Sequence, residues 1–247
     1  MNFFSCLFVH FVVQKEFLCR ALPNMSRKCP GIDMFHFERQ VSLTLEGGSV
    51  AGVDEAGRGP LAGPVVAAAV ILPAENSFSL PVNDSKNLTA KQRESLAVAI
   101  RNTRGLRFVL AERSAARIDQ INILQATHEA MRECILNLDP LPAFALVDGL
   151  KVHNFPVPAQ FLVKGDALSA SIAAASILAK TWRDQIMLEM DRIYPAYGFC
   201  RNKGYGTREH LEALKKHGPC PEHRRSFEPV ARCLAPAPEQ LYLPFGG

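Results

Sequence analysis

Three apolar runs in this sequence each lead into a carboxylate. The runs and their acids are Ser49–Asp54 with Glu55, Ala143–Val147 with Asp148, and Gln160–Val163 with Asp166. Short apolar runs rich in valine and isoleucine are typical of buried β-strands. Charged residues seldom follow a buried strand without compensation. Three such strands constrain the fold, because their acids can meet at one edge of a sheet if the strands lie side by side.

The remaining periodic segments alternate strands with helices. Two further strands are predicted at Val65–Leu72 and Leu106–Glu112, and helices at Asn87–Arg101, Ile118–Leu138, Leu168–Tyr194 and Thr207–His217. In the first of these helices, Thr89 and Gln92 have the spacing of a capping box. The order β-β-α-β-α-β-β-α-α predicts a single mixed α/β sheet domain.

Composition excludes several classes of protein. The 247 residues are 48% hydrophobic and 21% charged, which is typical of a globular protein and not of a disordered one. No run of about 18 apolar residues is present, so no membrane-spanning helix and no membrane partner is expected. The seven scattered cysteines contain no C-x-x-C pair, which argues against a disulfide framework and favours the reducing cytoplasm. Cys220 and His223 lack a second ligand pair for zinc.

The chain ends differ in pattern from its centre. Residues 1–44 are interpreted as an N-terminal extension outside the fold, 45–234 as the catalytic domain and 235–247 as a proline-rich tail. Phe3–Val13 resembles the apolar part of a signal peptide, but no Lys or Arg precedes it and no A-x-A site follows closely. A translation start at Met25 or Met34 is the alternative interpretation of the extension.

The acids at the strand ends predict a metal site. If the first, fourth and fifth strands lie side by side and run in the same direction, Asp54, Glu55, Asp148 and Asp166 converge. Neighbouring carboxylates repel each other unless a cation neutralises them, and oxygen ligands of this kind suit Mg²⁺ or Mn²⁺. Four carboxylates have room for two metal ions, which suits hydrolysis of a phosphodiester.

A glycine-rich turn and a basic segment predict the substrate class. Gly57-Arg58-Gly59 follows the first acid pair, and its glycines allow a close approach to a sugar-phosphate backbone. Residues 201–225 contain seven Lys or Arg against three Glu, an excess of four that equals the net charge of the whole chain, +4. Tyr205 stands between two glycines, where its ring could stack on a base or a sugar.

Six motifs in order along the chain resemble those of the bacterial ribonuclease HII family. They are D-E-A-G-R-G-P at 54–60, N-D-S-K at 83–86, V-D-G at 147–149, K-G-D at 164–166, A-A-S-I-L-A-K at 174–180 and K-G-Y-G-T at 203–207. The resemblance covers roughly Val50 to Leu234. It implies a ribonuclease H-like five-stranded mixed sheet flanked by helices, with a helical C-terminal extension.

The resemblance also implies an activity and roles for residues. The activity is endonucleolytic cleavage of RNA in RNA–DNA hybrids, including single ribonucleotides embedded in duplex DNA, leaving 3′-hydroxyl and 5′-phosphate ends. Asp54, Glu55, Asp148 and Asp166 would bind the metal ions, with Asp54 bridging both. Gly57, Arg58, Gly59 and Tyr205 would sense the 2′-hydroxyl, and Ser85 and Lys86 would contact phosphate. A monomer is expected, with no protein partner that the sequence identifies.

Two other classes of function remain open at this point. A non-catalytic nucleic-acid-binding module would leave the carboxylates unexplained. A metal-dependent phosphatase or phosphotransferase acting on a small molecule would leave the basic segment unexplained, and the sequence lacks a D-x-D-x-[TV] nucleophile pattern. Steep salt dependence of duplex binding would separate the nucleic-acid readings from the small-molecule enzyme.

Overall fold

A computed structural model describes residues 33–45, 47–73, 82 and 89–234 of the chain. Its strands are β1 (Val50–Ala56), β2 (Val65–Ile71), β3 (Arg107–Arg113), β4 (Phe144–Asp148) and β5 (Ala159–Leu162). Its α-helices are α1 (His36–Thr44), α2 (Ala90–Arg101), α3 (Ala115–Leu136), α4 (Ala170–Ile193), α5 (Phe199–Asn202), α6 (Arg208–His217) and α7 (Glu228–Leu234).

The five strands form one mixed sheet in the order β3-β2-β1-β4-β5. β2 is antiparallel to both β1 and β3, whereas β1, β4 and β5 run parallel to one another. The condition for convergence of the acids, that the first, fourth and fifth strands are parallel neighbours, is therefore met. The register pairs Val53 of β1 with Val147 of β4, so the acids that follow these two valines end adjacent strands.

Helices cover both faces of the sheet, and the alternation along β2 divides its side chains between them. Val66 and Val70 pack with α2 and α4, while Ala67 and Ala69 pack with α3. The first half of α4 is rich in small residues and approaches β1 so closely that a Cβ on Gly52 would lie 2.1 Å from the backbone of Ser171. This contact fixes α4 against the strand that carries the first acid pair.

Helix α3 differs from the single straight helix predicted at Ile118–Leu138. The backbone of Asn122 leaves the helical region, with φ 66° and ψ 163°, and its side-chain oxygen accepts a hydrogen bond from the amide of Gln125. A new helical segment thus begins at Asn122 with its own side-chain cap. Leu124, which follows this break, is 45% exposed.

Helix α1 lies inside the segment that the sequence predicts to be an extension without periodic structure. Met34 and Phe35 pack against the cluster between α2 and α4, and Phe37 and Val41 pack against Leu146, Leu162 and Ile172. Only nine residues long, α1 is stabilised by these tertiary contacts rather than by its own propensity. The structured part therefore begins earlier than residue 45. None of the described helices is long and apolar enough to cross a membrane.

Candidate active site

Asp54 and Glu55 occupy the end of β1 in the centre of the sheet. Asp54 is buried, with 6% of its surface exposed, and its Oδ1 accepts a hydrogen bond of 2.7 Å from the amide of Glu55. Glu55 forms an ion pair with Arg58 at 3.2 Å across the turn. The two carboxylates are thus held in different surroundings, since Asp54 is buried and Glu55 is partly buried beside a cation.

Asp148 ends β4 beside this pair, and a backbone contact joins it to the segment that carries Asp166. Oδ1 of Asp148 accepts a hydrogen bond of 2.5 Å from the amide of Gly165. Asp166 follows in a single 3₁₀ turn, Gly165–Ala167, after Lys164 in the left-handed conformation. The structure therefore brings all four predicted acids to one end of the parallel strands.

The electrostatics of this edge are those of crowded acids. Burial, together with the neighbouring charges of Glu55 and Asp148, raises the pKa of Asp54 well above its usual range. The hydrogen bond from Ser176 acts in the opposite direction and lowers this pKa, but its effect is smaller. Burial also raises the pKa of Glu55, an effect that Arg58 opposes and Asp148 reinforces. A cation placed between these groups would relieve both the repulsion and the desolvation of the charged forms.

The donor set fits a divalent metal ion, although the side chains are not arranged as a finished coordination sphere. Carboxylate oxygens are the ligands that Mg²⁺ and Mn²⁺ prefer. Within the described ranges, no group of three His, Cys, Asp or Glu side chains is gathered around one point as metal ligands would be. The chemistry of the acids therefore supports a metal site at this edge of the sheet.

Beside the acids, an open cleft lies between β1, β4 and α3. Its lining is partly apolar and includes Glu55, Arg58, Thr127, His128, Asp148 and Leu150. His128, on α3, is not among the site residues that the sequence predicts. The structure places it in the wall of this cleft, at a position that sequence periodicity alone does not distinguish from the core.

Arg183 of α4 holds the turn between β1 and β2 from inside the protein. It is 1% exposed, and it donates hydrogen bonds of 3.0–3.1 Å to the carbonyl oxygens of Pro64, Ala62 and Lys203. Gly57 must be glycine at this contact, because its φ is 96° and a Cβ would lie 2.0 Å from Nε of Arg183. The arginine thus connects the glycine turn with the segment that precedes Tyr205.

Arg224 holds the same turn from the C-terminal region. It is fully buried, and it donates to the carbonyl oxygens of Gly63 at 3.0 Å, Arg58 at 2.9 Å and Gly57 at 2.6 Å. Burial and the charge of Arg183 lower the pKa of Arg224 to about 9, which leaves the guanidinium charged at neutral pH. The two arginines together bind six carbonyl groups.

These arginines were missed as functional residues, and only one of them gives a signal in the sequence. Arg183 falls in the i, i+4 series Ala175, Ala179, Arg183 and Met187, all of them buried on one face of α4. An arginine within an apolar stripe is a sign of a buried, hydrogen-bonded guanidinium. Arg224 lies among charged residues and gives no such sign.

Tyr205 lies beside Gly59 of the glycine turn. Its ring is 46% exposed, and its Cε1 lies 3.6 Å from the point that a Cβ on Gly59 would occupy. The amide of Leu61 donates to the carbonyl of Gly204 at 2.7 Å and ties the two segments together. An exposed aromatic ring therefore stands beside a turn with little side-chain bulk.

Two buried histidines, His210 and His223, form a hydrogen-bonded chain that ends at the backbone carbonyl of Tyr205. The amide of Cys220 donates to Nδ1 of His223, the Nε2 atoms of His223 and His210 lie 3.0 Å apart, and Nδ1 of His210 lies 2.9 Å from the carbonyl of Tyr205. Because His223 Nδ1 is an acceptor, its Nε2 must donate to His210, whose Nδ1 then donates to Tyr205. Both rings are neutral in this arrangement.

The basic segment 201–225 is only partly a surface. Arg224 counts toward the basic excess that suits a phosphate backbone, but the structure buries it together with His210 and His223. Their hydrogen bonds to backbone carbonyls and to each other replace solvent as the source of stabilisation. Lys215, Lys216 and Arg225 remain exposed.

Two further sequence assignments have separate outcomes. Ser85 and Lys86, the predicted phosphate contacts, lie outside the described residues. Asp184, an acid of α4, is not among the predicted site residues. It is paired within its own helix, since Lys180 Nζ lies 2.5 Å from its Oδ1.

Comparisons with known proteins agree with this architecture. The ribonuclease H2 of Pyrococcus horikoshii OT3 superposes with a TM-score of 0.64 at 27% identity, covering 75% of this chain and 96% of that one. A mixed sheet of this order with acids at its central parallel strands defines a ribonuclease H-like protein.

Sequence comparison narrows the class. The family model described as Ribonuclease HII matches residues 51–230. The ribonuclease HII of Acidovorax sp. strain JS42 is 58% identical over 187 residues, which is 76% of this chain and 88% of that protein. That of Desulfitobacterium hafniense strain DSM 10664 is 54% identical over 186 residues, 75% of this chain and 70% of that protein.

The chain belongs to the ribonuclease HII family. It is therefore an enzyme, an endonuclease that acts on the RNA of RNA–DNA hybrids, and the family depends on a divalent metal ion. The small-molecule phosphatase and the non-catalytic binding module are excluded by this membership.

Proposed function

We propose that this ribonuclease cleaves RNA–DNA hybrids and also cuts duplex DNA on the 5′ side of a single embedded ribonucleotide, leaving 3′-hydroxyl and 5′-phosphate ends. The observation that carries the proposal is the pairing of Val53 with Val147, which sets Asp54 and Asp148 at the ends of adjacent parallel strands beside the glycine turn. Acids and turn together offer a place for the scissile phosphate next to a place for the 2′-hydroxyl.

The four carboxylates Asp54, Glu55, Asp148 and Asp166 would hold two divalent ions, either Mn²⁺ or Mg²⁺. Bound there, the ions would supply activation of a water molecule and stabilisation of the departing 3′-oxygen. The protein's own contribution is the supply of hard oxygen donors at a buried edge. Asp54 is suited to a shared position because it is the most buried acid of the set and feels the charges of both Glu55 and Asp148.

Recognition of the ribonucleotide is assigned to Gly57, Arg58, Gly59 and Tyr205. Arg224 binds the carbonyl groups of Gly57 and Arg58 from inside the protein, so the turn is held in place on its buried side. The 2′-hydroxyl is the group by which a protein tells RNA from DNA at a single position. The exposed ring of Tyr205 would stack on the sugar or base that follows.

Basic and hydroxyl side chains are the proposed contacts with the duplex. Lys215 and Lys216 are exposed on α6, and Ser85 and Lys86 are retained as proposed phosphate contacts.

The state of the cysteines bears on the cell compartment. Cys134, Cys200, Cys220 and Cys233 are free thiols, which is consistent with a reducing cytoplasm. We propose that the chain acts there as a monomer.

A DNA duplex with one ribonucleotide tests the proposal. The protein is incubated with this duplex and Mn²⁺ or Mg²⁺, with EDTA as control, and the products are resolved at single-nucleotide resolution. A metal-dependent cut on the 5′ side of the ribonucleotide is expected, with none in an all-DNA duplex. Cleavage confined to long RNA–DNA hybrids would contradict the single-ribonucleotide activity, while leaving the hybrid activity of the family in place.

A further inference from the structure

A carboxylate outside the four acids binds the start of α4. Oε1 of Glu38, in α1, accepts hydrogen bonds from Oγ of Ser169 at 2.6 Å, from the amide of Ser171 at 2.9 Å and from Oγ of Ser171 at 2.7 Å. Its Oε2 is buried and accepts no hydrogen bond from any described residue. No Lys or Arg within the described ranges pairs with it, so the charge is compensated by these donors and by the dipole of α4.

Helix α1 completes the hydrogen bonding of this helix start. The amide of Ala170 donates to the carbonyl of Met34 at 2.8 Å, and the amide of Ile172 donates to Oγ of Ser169 at 3.2 Å. Together with Glu38, these partners satisfy amide donors of the first turn of α4 that have no partner within the helix. Phe37 and Val41 bury the other side of α1. The start of α4 is thus fixed by residues from a distant part of the sequence.

The same helix start borders the candidate metal site on two sides. Asp166 lies three residues before Ser169, whose amide donates to the carbonyl of Gly165 at 2.9 Å. Ser171 presses against Gly52, two residues before Asp54 on β1. Ser176, on the next turns of α4, donates a hydrogen bond to the carboxylate of Asp54. A shift of this helix start would therefore move an acid on each side of the site.

We propose that Glu38 is a positioning residue for the metal-binding acids, acting through Ser169 and Ser171 on Asp166 and Asp54. The inference rests on the proposed metal site and extends the functional unit to a helix that precedes the matched family region, residues 51–230. Partners of metal ligands that orient them typically change metal affinity or activity by about 10–100-fold when they are mutated.

The test uses the full chain with Glu38→Ala, Glu38→Gln and, as a matched control, Gln40→Ala on the exposed side of the same helix. Mn²⁺ is titrated against cleavage of an RNA–DNA hybrid, and Mn²⁺ binding is measured by calorimetry without substrate. Glu38→Ala is expected to raise the half-saturating Mn²⁺ concentration about tenfold and to weaken Mn²⁺ binding equally, with near wild-type kcat at saturating Mn²⁺. Glu38→Gln retains an acceptor oxygen, so its half-saturating Mn²⁺ concentration should lie between those of the wild-type protein and Glu38→Ala.

Several outcomes would overturn the proposal. A lower melting temperature for Glu38→Ala, with wild-type Mn²⁺ dependence in the folded fraction, would make the role of Glu38 purely structural. If Glu38→Ala does not fold, Glu38→Gln and Ser171→Ala carry the test, and unchanged Mn²⁺ dependence in both would overturn it. If the wild-type protein does not cleave at all, the proposed function has failed, and calorimetric Mn²⁺ binding alone then decides the role of Glu38.

Discussion

Nη2 of Arg224 donates to the carbonyl oxygen of Gly57 at 2.6 Å, so a fully buried cation from the C-terminal region shapes the turn after β1. Neither Arg224 nor Arg183 forms an ion pair with a carboxylate among the described residues, and both spend their donors on backbone carbonyls. A buried arginine held in this way fixes the path of the chain, because its planar fork of donors matches only one arrangement of acceptors.

Arg224→Lys is expected to keep the charge but to lose the fork that holds three carbonyls. Each lost hydrogen bond to a charged donor costs about 1.5–3 kcal/mol of stability. The free energy of unfolding should fall, and cleavage at a single ribonucleotide should fall about tenfold more than cleavage of a long hybrid. Denaturant unfolding and steady-state kinetics measure both effects. Arg192→Lys, on an exposed side chain, is the control, and equal losses on both substrates would show that Arg224 does not shape ribonucleotide recognition.

Asp54→Asn is expected to raise the stability of the metal-free protein while removing most cleavage. The pKa of Asp54 is raised in the folded state, so ionisation at neutral pH opposes folding, and an uncharged amide removes that cost. Mn²⁺ should raise the melting temperature of the wild-type protein and have little effect on the variant. Hybrid binding should be largely retained. Substantial cleavage by Asp54→Asn would refute its role in holding metal ions, and Glu94→Gln on exposed α2 controls for loss of negative charge.

Tyr205→Ala should weaken the preference for ribonucleotide-containing duplex. Stacking of an aromatic ring on a base contributes about 1–3 kcal/mol, so the ratio of kcat/KM for a single-ribonucleotide duplex to that for a long hybrid should fall about tenfold. Tyr205→Phe keeps the ring and serves as the matched variant. An unchanged ratio in Tyr205→Ala would remove the residue from ribonucleotide recognition.

Gly57→Ala should destabilise the fold, since Gly57 has φ 96° and a Cβ would meet Nε of Arg183 at 2.0 Å. The added methyl group would displace the buried guanidinium from its carbonyl acceptors, at an expected cost of about 2 kcal/mol or more. Gly59→Ala is the comparison for stability, because its Cβ would have an ordinary contact with Tyr205 at 3.6 Å. Thermal unfolding that shows equal melting temperatures for the two variants would contradict the close packing at Gly57.

The buried imidazole pair predicts loss of stability in mild acid. Burial and the neighbouring His210 lower the pKa of His223 to about 4, against about 6.5 in an unfolded chain. The unfolded state therefore binds more protons between these values, so stability is full above about pH 6.5 and declines as the pH falls toward 4. The melting temperature should drop by about 2–4 °C for each kcal/mol lost.

His223→Gln should flatten this pH dependence, even if its melting temperature at neutral pH is lower. His153→Gln removes an exposed histidine and is the control. A decline between pH 6.5 and 4 that is equally steep in His223→Gln would assign the effect to other groups.

The sequence predicts most of the sheet and all four acids, because both depend on local signals. Apolar runs end where a charge begins, and Thr89 and Thr207 cap helices through hydrogen bonds within one turn. The interior of the C-terminal region is not predictable in this way. Arg224 and His223 stand among charged residues that are typical of a protein surface. Arg224 can be buried only because it binds carbonyl groups more than 150 residues away in the sequence.

Helix α1 escaped prediction for a related reason. Its nine residues have no cap formed by a side chain, and no residue of it is fully buried. What holds it is the start of α4, more than 130 residues later in the sequence, through Glu38. The kink of α3 likewise depends on the backbone conformation of one residue, Asn122, and the periodic pattern of the segment does not predict it.

The parallel arrangement of β1, β4 and β5 also has a consequence for synthesis of the enzyme. Asp54 leaves the ribosome long before Asp148 and Asp166, and β1 cannot gain its parallel neighbour until β4 has been made. Arg224 comes later still, so the carbonyl groups of the turn after β1 gain this buried donor only after residue 224 has been made. A chain that stops before Asp166 lacks the full set of acids, and one that stops before Arg224 lacks the hydrogen bonds that hold the turn, so we expect the site to be completed only when the C-terminal region has been made.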